Sequence, residues 1–155
     1  MSGWPLDYDA QLTGVHCPLC NEGRPEEIGM RIRFFSCTVA DAYLHRHGVQ
    51  RGYVALIWRG RHVVDPTELA VEEGLAFWNA MLQVSAAMQT VYQPLKMNYQ
   101  LLGNRMAHLH WLIAPRFRHD IAPGDPLPGA GYHDFPEEQV QEDIRQLRDA
   151  LIHIS

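Results

Sequence analysis

The run Gly103-Asn104-Arg105-Met106-Ala107-His108-Leu109-His110-Trp111-Leu112-Ile113-Ala114-Pro115-Arg116 sets two histidines at i and i+2 inside an apolar stretch. Read as a β-strand, it alternates its side chains between two faces, so His108, His110 and Leu112 share one face while Leu109, Trp111 and Ile113 share the other. Two imidazoles then look into one site. Near neutral pH, imidazole serves as nucleophile, proton carrier or metal ligand, and display on a rigid strand suits all three. Taken alone, the pair also suits hydrogen-bonded core histidines.

The rest of the chain supplies a sheet for such a strand. Residues 1–29 are broken by Pro5, Gly14, Pro18, Gly23, Pro25 and Gly29 and read as an irregular arm. Met30–Ser36, Val39–His45 and Gly52–Trp58 read as short strands, the first two as a hairpin and the third as a central strand covered on both faces. Asp65-Pro66-Thr67-Glu68 is a helix start: a capping Asp65, Pro66 at the first helical position and Glu68 to complete a capping box. Leu69, Leu75, Trp78, Leu82, Met88 and Tyr92 then recur at helical spacing until Pro94, which predicts one long helix packed on the sheet. Met97–Leu102 and His108–Ala114 are the fourth and fifth strands. Residues 115–135 form a Pro/Gly-rich loop, a candidate lid or contact surface. Val140, Ile144, Leu147 and Leu151 mark a second helix, with Asp134 as its candidate cap. The expectation is an α+β fold, a five-stranded antiparallel sheet with one long and one C-terminal helix, as one domain over residues 1–155.

Composition narrows the function. A length of 155 residues with 46% apolar and 20% charged residues suits a soluble globular domain with a real core. No apolar run approaches the roughly 20 residues that span a membrane, and the start of the chain lacks a secretory pattern, so the expected setting is the cytoplasm, away from membranes. A net charge of −5 with no dense basic stripe argues against a nucleic-acid polymer as partner and leaves room for a small nucleotide. Three cysteines cannot all pair within one molecule. Cys17-Pro18-Leu19-Cys20 has the spacing that lets two thiolates converge on one metal ion, or is a loop with two unremarkable thiols. Cys37 reads as a small buried residue.

Lys96-Met97-Asn98-Tyr99-Gln100-Leu101-Leu102-Gly103-Asn104, then His108-Leu109-His110-Trp111 and Pro115-Arg116, resemble the histidine-triad family of nucleotide hydrolases and transferases. Gly52-Tyr53-Val54, Arg61-His62-Val63 and Pro66-Thr67-Glu68-Leu69 extend the likeness over roughly residues 15 to 120. The resemblance implies a HIT-like fold and makes His110, the middle position of the family's His-φ-His-φ-His-φ-φ pattern, the nucleophile on a nucleotide α-phosphorus. The third position is Leu112, where the family carries histidine and its uridylyltransferase branch glutamine. Leucine offers no hydrogen bond to a developing oxyanion. Arg105 and Arg116 are the candidate replacement donors, with Asn104, Gly103 and Asn98 as phosphate contacts. The base is expected against Phe34 or Tyr43, and the ribose near Leu44 and His45.

The same resemblance implies structural zinc on Cys17, Cys20, His62 and His108, with His16 a bystander or substitute ligand. Two thiolates and two imidazoles fill a tetrahedral shell and leave no open position for water. The implied function is hydrolysis or transfer of a nucleoside monophosphate through a covalent His110 intermediate, in a homodimer. Leu112 keeps two alternatives open: a catalytically silent nucleotide-binding or regulatory protein, and a specialised non-hydrolytic transferase or lyase.

Overall fold

The arm carries more local structure than its prolines and glycines suggest. In the computed structural model, which describes residues 3–154, it forms α1 (Tyr8–Leu12), α2 (Pro18–Asn21) and β1 (Glu27–Ile28). The expectation of an irregular segment is therefore corrected. Pro18 sits at the first position of α2, where its missing N–H costs nothing, and the breakers Gly14, Gly23 and Gly29 take positive φ between the pieces.

The chain continues through β2 (Arg31–Ser36), β3 (Ala40–His45), β4 (His47–Gly48) and β5 (Val54–Trp58). After a single turn of 3-10 helix at Pro66–Glu68 come α3 (Val71–Tyr92), β6 (Lys96–Gln100), β7 (His110–Arg116), β8 (His133–Asp134) and α4 (Glu137–Ile152). The main sheet has six strands in the order β1-β2-β3-β5-β7-β6, and every pairing is antiparallel. The sixth strand is β1, a two-residue extension that the arm adds at the β2 edge. All five residues of β5 are buried, as its apolar run requires of a strand covered on both sides.

One face of the sheet carries α3 and α4 over the larger core, in which Ile32, Phe34, Leu44, Leu56, Trp58 and Ile113 meet Phe77, Met81, Val84, Met88 and Leu147. The other face is covered by the arm, which packs Cys17 and Leu19 on Tyr43, Ala55 and Ile57.

Several sequence expectations shift. The Asp65 capping box forms as drawn, with the Asp65 carboxylate accepting from Thr67 N–H and the Glu68 carboxylate accepting from Asp65 N–H. It closes only the 3-10 turn. Leu69 and Ala70 are extended, and the long helix makes a second start at Val71, where Glu73 accepts from Ala70 N–H at 2.8 Å. Of the expected stripe Met88 and Tyr92 are buried, but Leu75, Trp78 and Leu82 do not face the sheet: they are 65%, 52% and 48% exposed, and Phe77, Met81 and Val84 point inward instead. The helix is apolar on two faces, so spacing alone does not choose between them. Asp134 lies in β8 and Pro136 precedes α4, which has no side-chain cap. None of the helices among the described residues is long and apolar enough to cross a membrane.

Candidate functional site

β7 begins at His110, and His108 sits on a bend just before it, with its N–H donating to Met106 O. The side-chain alternation still holds across this bend, because Leu109 joins the helix-side core while His108 and His110 turn to the arm side. The two histidines nevertheless serve different surroundings.

His108 is buried beneath the arm. Its Nδ1 lies 3.3 Å from Cys17 Sγ and 3.5 Å from Cys20 Sγ, and Cys20 Sγ is 3.3 Å from His62 Nδ1. The four donor atoms all fall within 4.8 Å of one another. Tetrahedral zinc at its usual bond lengths separates its ligand atoms by about 3.3–3.8 Å, so the donor set is compatible with zinc in both chemistry and spacing. The His108 ring is held for this role: Nε2–H donates to Trp58 O at 2.8 Å, which leaves Nδ1 unprotonated toward the thiols. Burial lowers the His108 basicity to about 4, outweighing the Trp58 carbonyl, and burial followed by the neighbouring Cys17 pushes the Cys20 thiol up to about 11. A cation among the four donors reverses that penalty on the thiolate. Gly14 makes the close approach possible, because at φ +82° it passes His62 where a Cβ would stand 3.0 Å from the ring. His16 lies outside the cluster.

The arm is tied down beside these thiols. Arg59 donates to Leu19 O at 2.8 Å and to the fully buried Asp41 at 2.7 Å, and Asp41 also accepts from Arg24 and Ser36. Burial alone would raise the Asp41 carboxyl, but these hydrogen bonds outweigh it and hold the group below its ordinary range.

His110 opens instead onto a cavity of ≈ 480 Å³, within the range of small-molecule sites. Its Nδ1–H donates to His108 O at 2.6 Å, which leaves the Nε2 lone pair for the cavity. Burial, reinforced by the charge of Arg31, lowers the basicity of His110, so the imidazole is neutral at neutral pH. Leu112 stands in the cavity wall one step further along β7, opposite Ala55 on β5 and Gln100 on β6. The Gln100 Oε1 accepts from the Tyr53 hydroxyl at 3.3 Å, so its NH2 remains a donor at the wall. The loop before β7 is braced by the arm: Tyr8 donates to Gly103 O, and Gln11 Oε1 accepts from Ala107 N–H.

No protein-family model and no curated protein matches the chain. Solved structures do. A histidine triad protein from Bradyrhizobium japonicum superposes with a TM-score of 0.73 at 21% identity, covering 79% of this chain and 91% of that one. A histidine triad protein from Marinobacter aquaeolei gives 0.72 at 22% identity, covering 81% and 92%. The chain has the histidine-triad fold. A Zn-bound histidine triad family protein from Mycobacterium smegmatis, at a TM-score of 0.60 and 20% identity, covers 95% of this chain and 93% of that one.

Within that fold, the candidate residues divide. His45, Gly103, Asn104, Arg105 and His110 line the cavity together. Phe34 and Leu44 lie on the opposite face, in the core under the helices, and so cannot hold a base or ribose there. Tyr43 is on the correct face but fully buried, with its hydroxyl donating to Pro25 O and accepting from Arg59. Arg116 is buried and bidentate to Asp120, with further bonds to Asn98 Oδ1 and Ala122 O, so it braces the loop after β7 and lies outside the cavity wall. Asn98 lines a small neighbouring hollow with Tyr53 and Leu127. Sequence reasoning missed Arg31, Tyr53, Gln100, Leu127 and Tyr132, all of which reach the cavity. Arg31 carried a usable signal: it alternates with Ile32, so once that apolar side chain faces the helices Arg31 faces the site.

Proposed function

We propose that the chain is a nucleotide-binding enzyme of the histidine-triad type that cleaves or transfers a nucleoside monophosphate through His110. The observation that carries this reading is the His110 imidazole itself: neutral, tied at Nδ1 to the His108 carbonyl, and presenting Nε2 to a cavity of nucleotide dimensions. In the first step Nε2 attacks the α-phosphorus, a P–N bond forms, and the bond to the leaving group breaks with its electron pair on the departing atom, which takes a proton from solvent. In the second step the oxygen of water or of another hydroxyl acceptor attacks phosphorus and gives up its proton to solvent, while the P–N bond breaks and its electron pair returns to Nε2. Splitting one difficult displacement in two is the gain from a covalent route. Asn104 and the loop at Gly103 supply neutral donors near the reacting phosphate in this reading.

Cys17, Cys20, His62 and His108 are the residues that would hold zinc. Four protein ligands make it structural, and its contribution is to fix His108 and through it the start of β7. A cytoplasmic setting, where thiolates stay reduced and available to a metal, belongs to the same reading. We also infer a homodimer: α3 exposes Val71, Leu75, Trp78 and Leu82 in one stripe beside Trp111 and Tyr99, and β6 leaves an open sheet edge next to it.

The expected result on incubation with an adenosine 5′-phosphoramidate or a dinucleoside polyphosphate is a nucleotidyl adduct by intact mass, lost in His110→Ala. Absence of adduct and of product across both substrates would overturn the enzymatic reading. A second reading follows from Leu112, a side chain in the cavity wall that can neither donate nor carry charge: a protein that binds nucleotide without turning it over, or transfers it with water held off. Tight nucleotide binding with no adduct supports the silent form; an adduct that water fails to resolve supports the transferase.

A further inference from the structure

The protein is acidic overall, yet its main cavity is not. Among the described residues lining it are Arg31, Arg105, His45 and His110, and no aspartate or glutamate. Arg105 is exposed at the cavity mouth, whereas Arg31 is half-buried in the wall. The two buried arginines are each committed to a carboxylate: Arg59 to Asp41 and Arg116 to Asp120. Arg31 is not. Its one hydrogen bond among the described residues is a long one, from Nε to Ile28 O at 3.4 Å, and no described carboxylate lies within ion-pair distance.

Arg31 opens β2 directly opposite His45 on β3, so the two side chains stand as a cross-strand pair on the cavity floor. The His45 Nε2 is buried there without a partner. Burial, and after it the charge of Arg31, lowers the basicity of His45. A half-buried guanidinium with no carboxylate in contact, only the charge of Glu22 acting from beyond ion-pair distance, next to an unsatisfied imidazole nitrogen, is a costly arrangement that a bound anion relieves.

We propose that Arg31, assisted by His45, is the anion anchor of this cavity, and that it holds a phosphate of the nucleotide presented to His110. This identification of the ligand rests on the nucleotide reading above; the presence of an anion anchor does not. It implies a preference for substrates that carry negative charge over neutral nucleosides of the same base. Arg31 acts here as a binding and positioning residue.

The test is equilibrium titration of the full chain with AMP, adenosine and inorganic pyrophosphate, each against wild type and Arg31→Met. Wild type is expected to bind AMP about tenfold to a hundredfold more tightly than adenosine, as a charge-assisted contact warrants. Arg31→Met should bring that ratio near one while changing adenosine affinity by less than about twofold. A ratio that survives in Arg31→Met overturns the proposal. If Arg31→Met loses its fold by circular dichroism, Arg31→Gln takes its place with the same two outcomes. Pyrophosphate separates the two claims: binding that depends on Arg31 while neither AMP nor adenosine binds keeps the anchor and removes the nucleotide reading. Failure of both anions to bind wild type removes the anchor itself.

Discussion

Leu112 and His110 stand two residues apart on one face of β7 and pull the chemistry in opposite directions. His110 has what a nucleophile requires: low basicity from burial, one nitrogen committed to a carbonyl, and the other free toward the cavity. In the proposed reaction, Leu112 withholds a polar contact where negative charge would develop. Its neighbours are a small residue, Ala55, and an amide, Gln100, so an imidazole at position 112 meets little steric opposition. Leu112→His is therefore expected to raise turnover of an adenosine 5′-phosphoramidate by about tenfold or more, since a single oxyanion donor is commonly worth on the order of a hundredfold. Steady-state kinetics will measure it, and an unchanged rate would reject Leu112 as the limit on turnover. At this scale the two histidines and the leucine were legible because strand alternation is a local rule. The same alternation carries the face of Arg31, but not its lack of an ion pair, because whether a half-buried arginine meets a carboxylate depends on residues far along the chain.

At the scale of elements, the arm and the sheet depend on each other through the Cys17, Cys20, His62 and His108 cluster. The arm has few buried residues of its own, and Gly103 and Ala107 are braced by its Tyr8 and Gln11. If the cluster holds the proposed zinc, its loss should therefore loosen both the arm and the loop that precedes His110. We expect about one zinc per chain by elemental analysis of dialysed protein. Cys17→Ser should lose most of it and lower the melting temperature by roughly 10 °C, the consequence of breaking a structural metal site. Full zinc retention with unchanged melting would show that these donors bind no structural metal. The CxxC spacing was readable in the chain, but the short helix α2 that aims it was hidden, since a turn opened by proline looks like a breaker. The long helix illustrates the reverse case. Its existence was plain, yet its buried face was misread because Leu75, Trp78 and Leu82 keep helical spacing as well as Phe77, Met81 and Val84 do.

For the whole molecule, that exposed stripe is the feature that points outward. Leu75, Trp78 and Leu82 lie beside the open edge of β6, and Trp111 packs against both Trp78 and Tyr99. A second copy across this face would bury the stripe and extend the sheet, so the chain is expected to run as a dimer in light scattering at micromolar concentration. Trp78→Glu should shift it to monomer with its fold intact by circular dichroism. A wild-type monomer would leave the stripe exposed and the homodimer rejected. The loop 115–135 also acts at this scale. It returns through β8 to pair with β4, carrying Leu127, Pro128 and Tyr132 onto the cavity wall, and Arg116 with Asp120 pins its base.

The chain by itself determined the five longer strands of the main sheet, the two long helices and the antiparallel α+β architecture, because alternation, capping and proline act over a few residues; the nucleophile candidate came from its resemblance to the histidine-triad family. Tertiary structure decided the rest: that β1 adds a sixth strand, that Phe34 and Leu44 turn away from the cavity, that Arg116 is spent on Asp120, and that Arg31 is left without a carboxylate. Each of these depends on which distant residues meet, and a charge becomes available to a ligand only when the fold brings no partner to neutralise it.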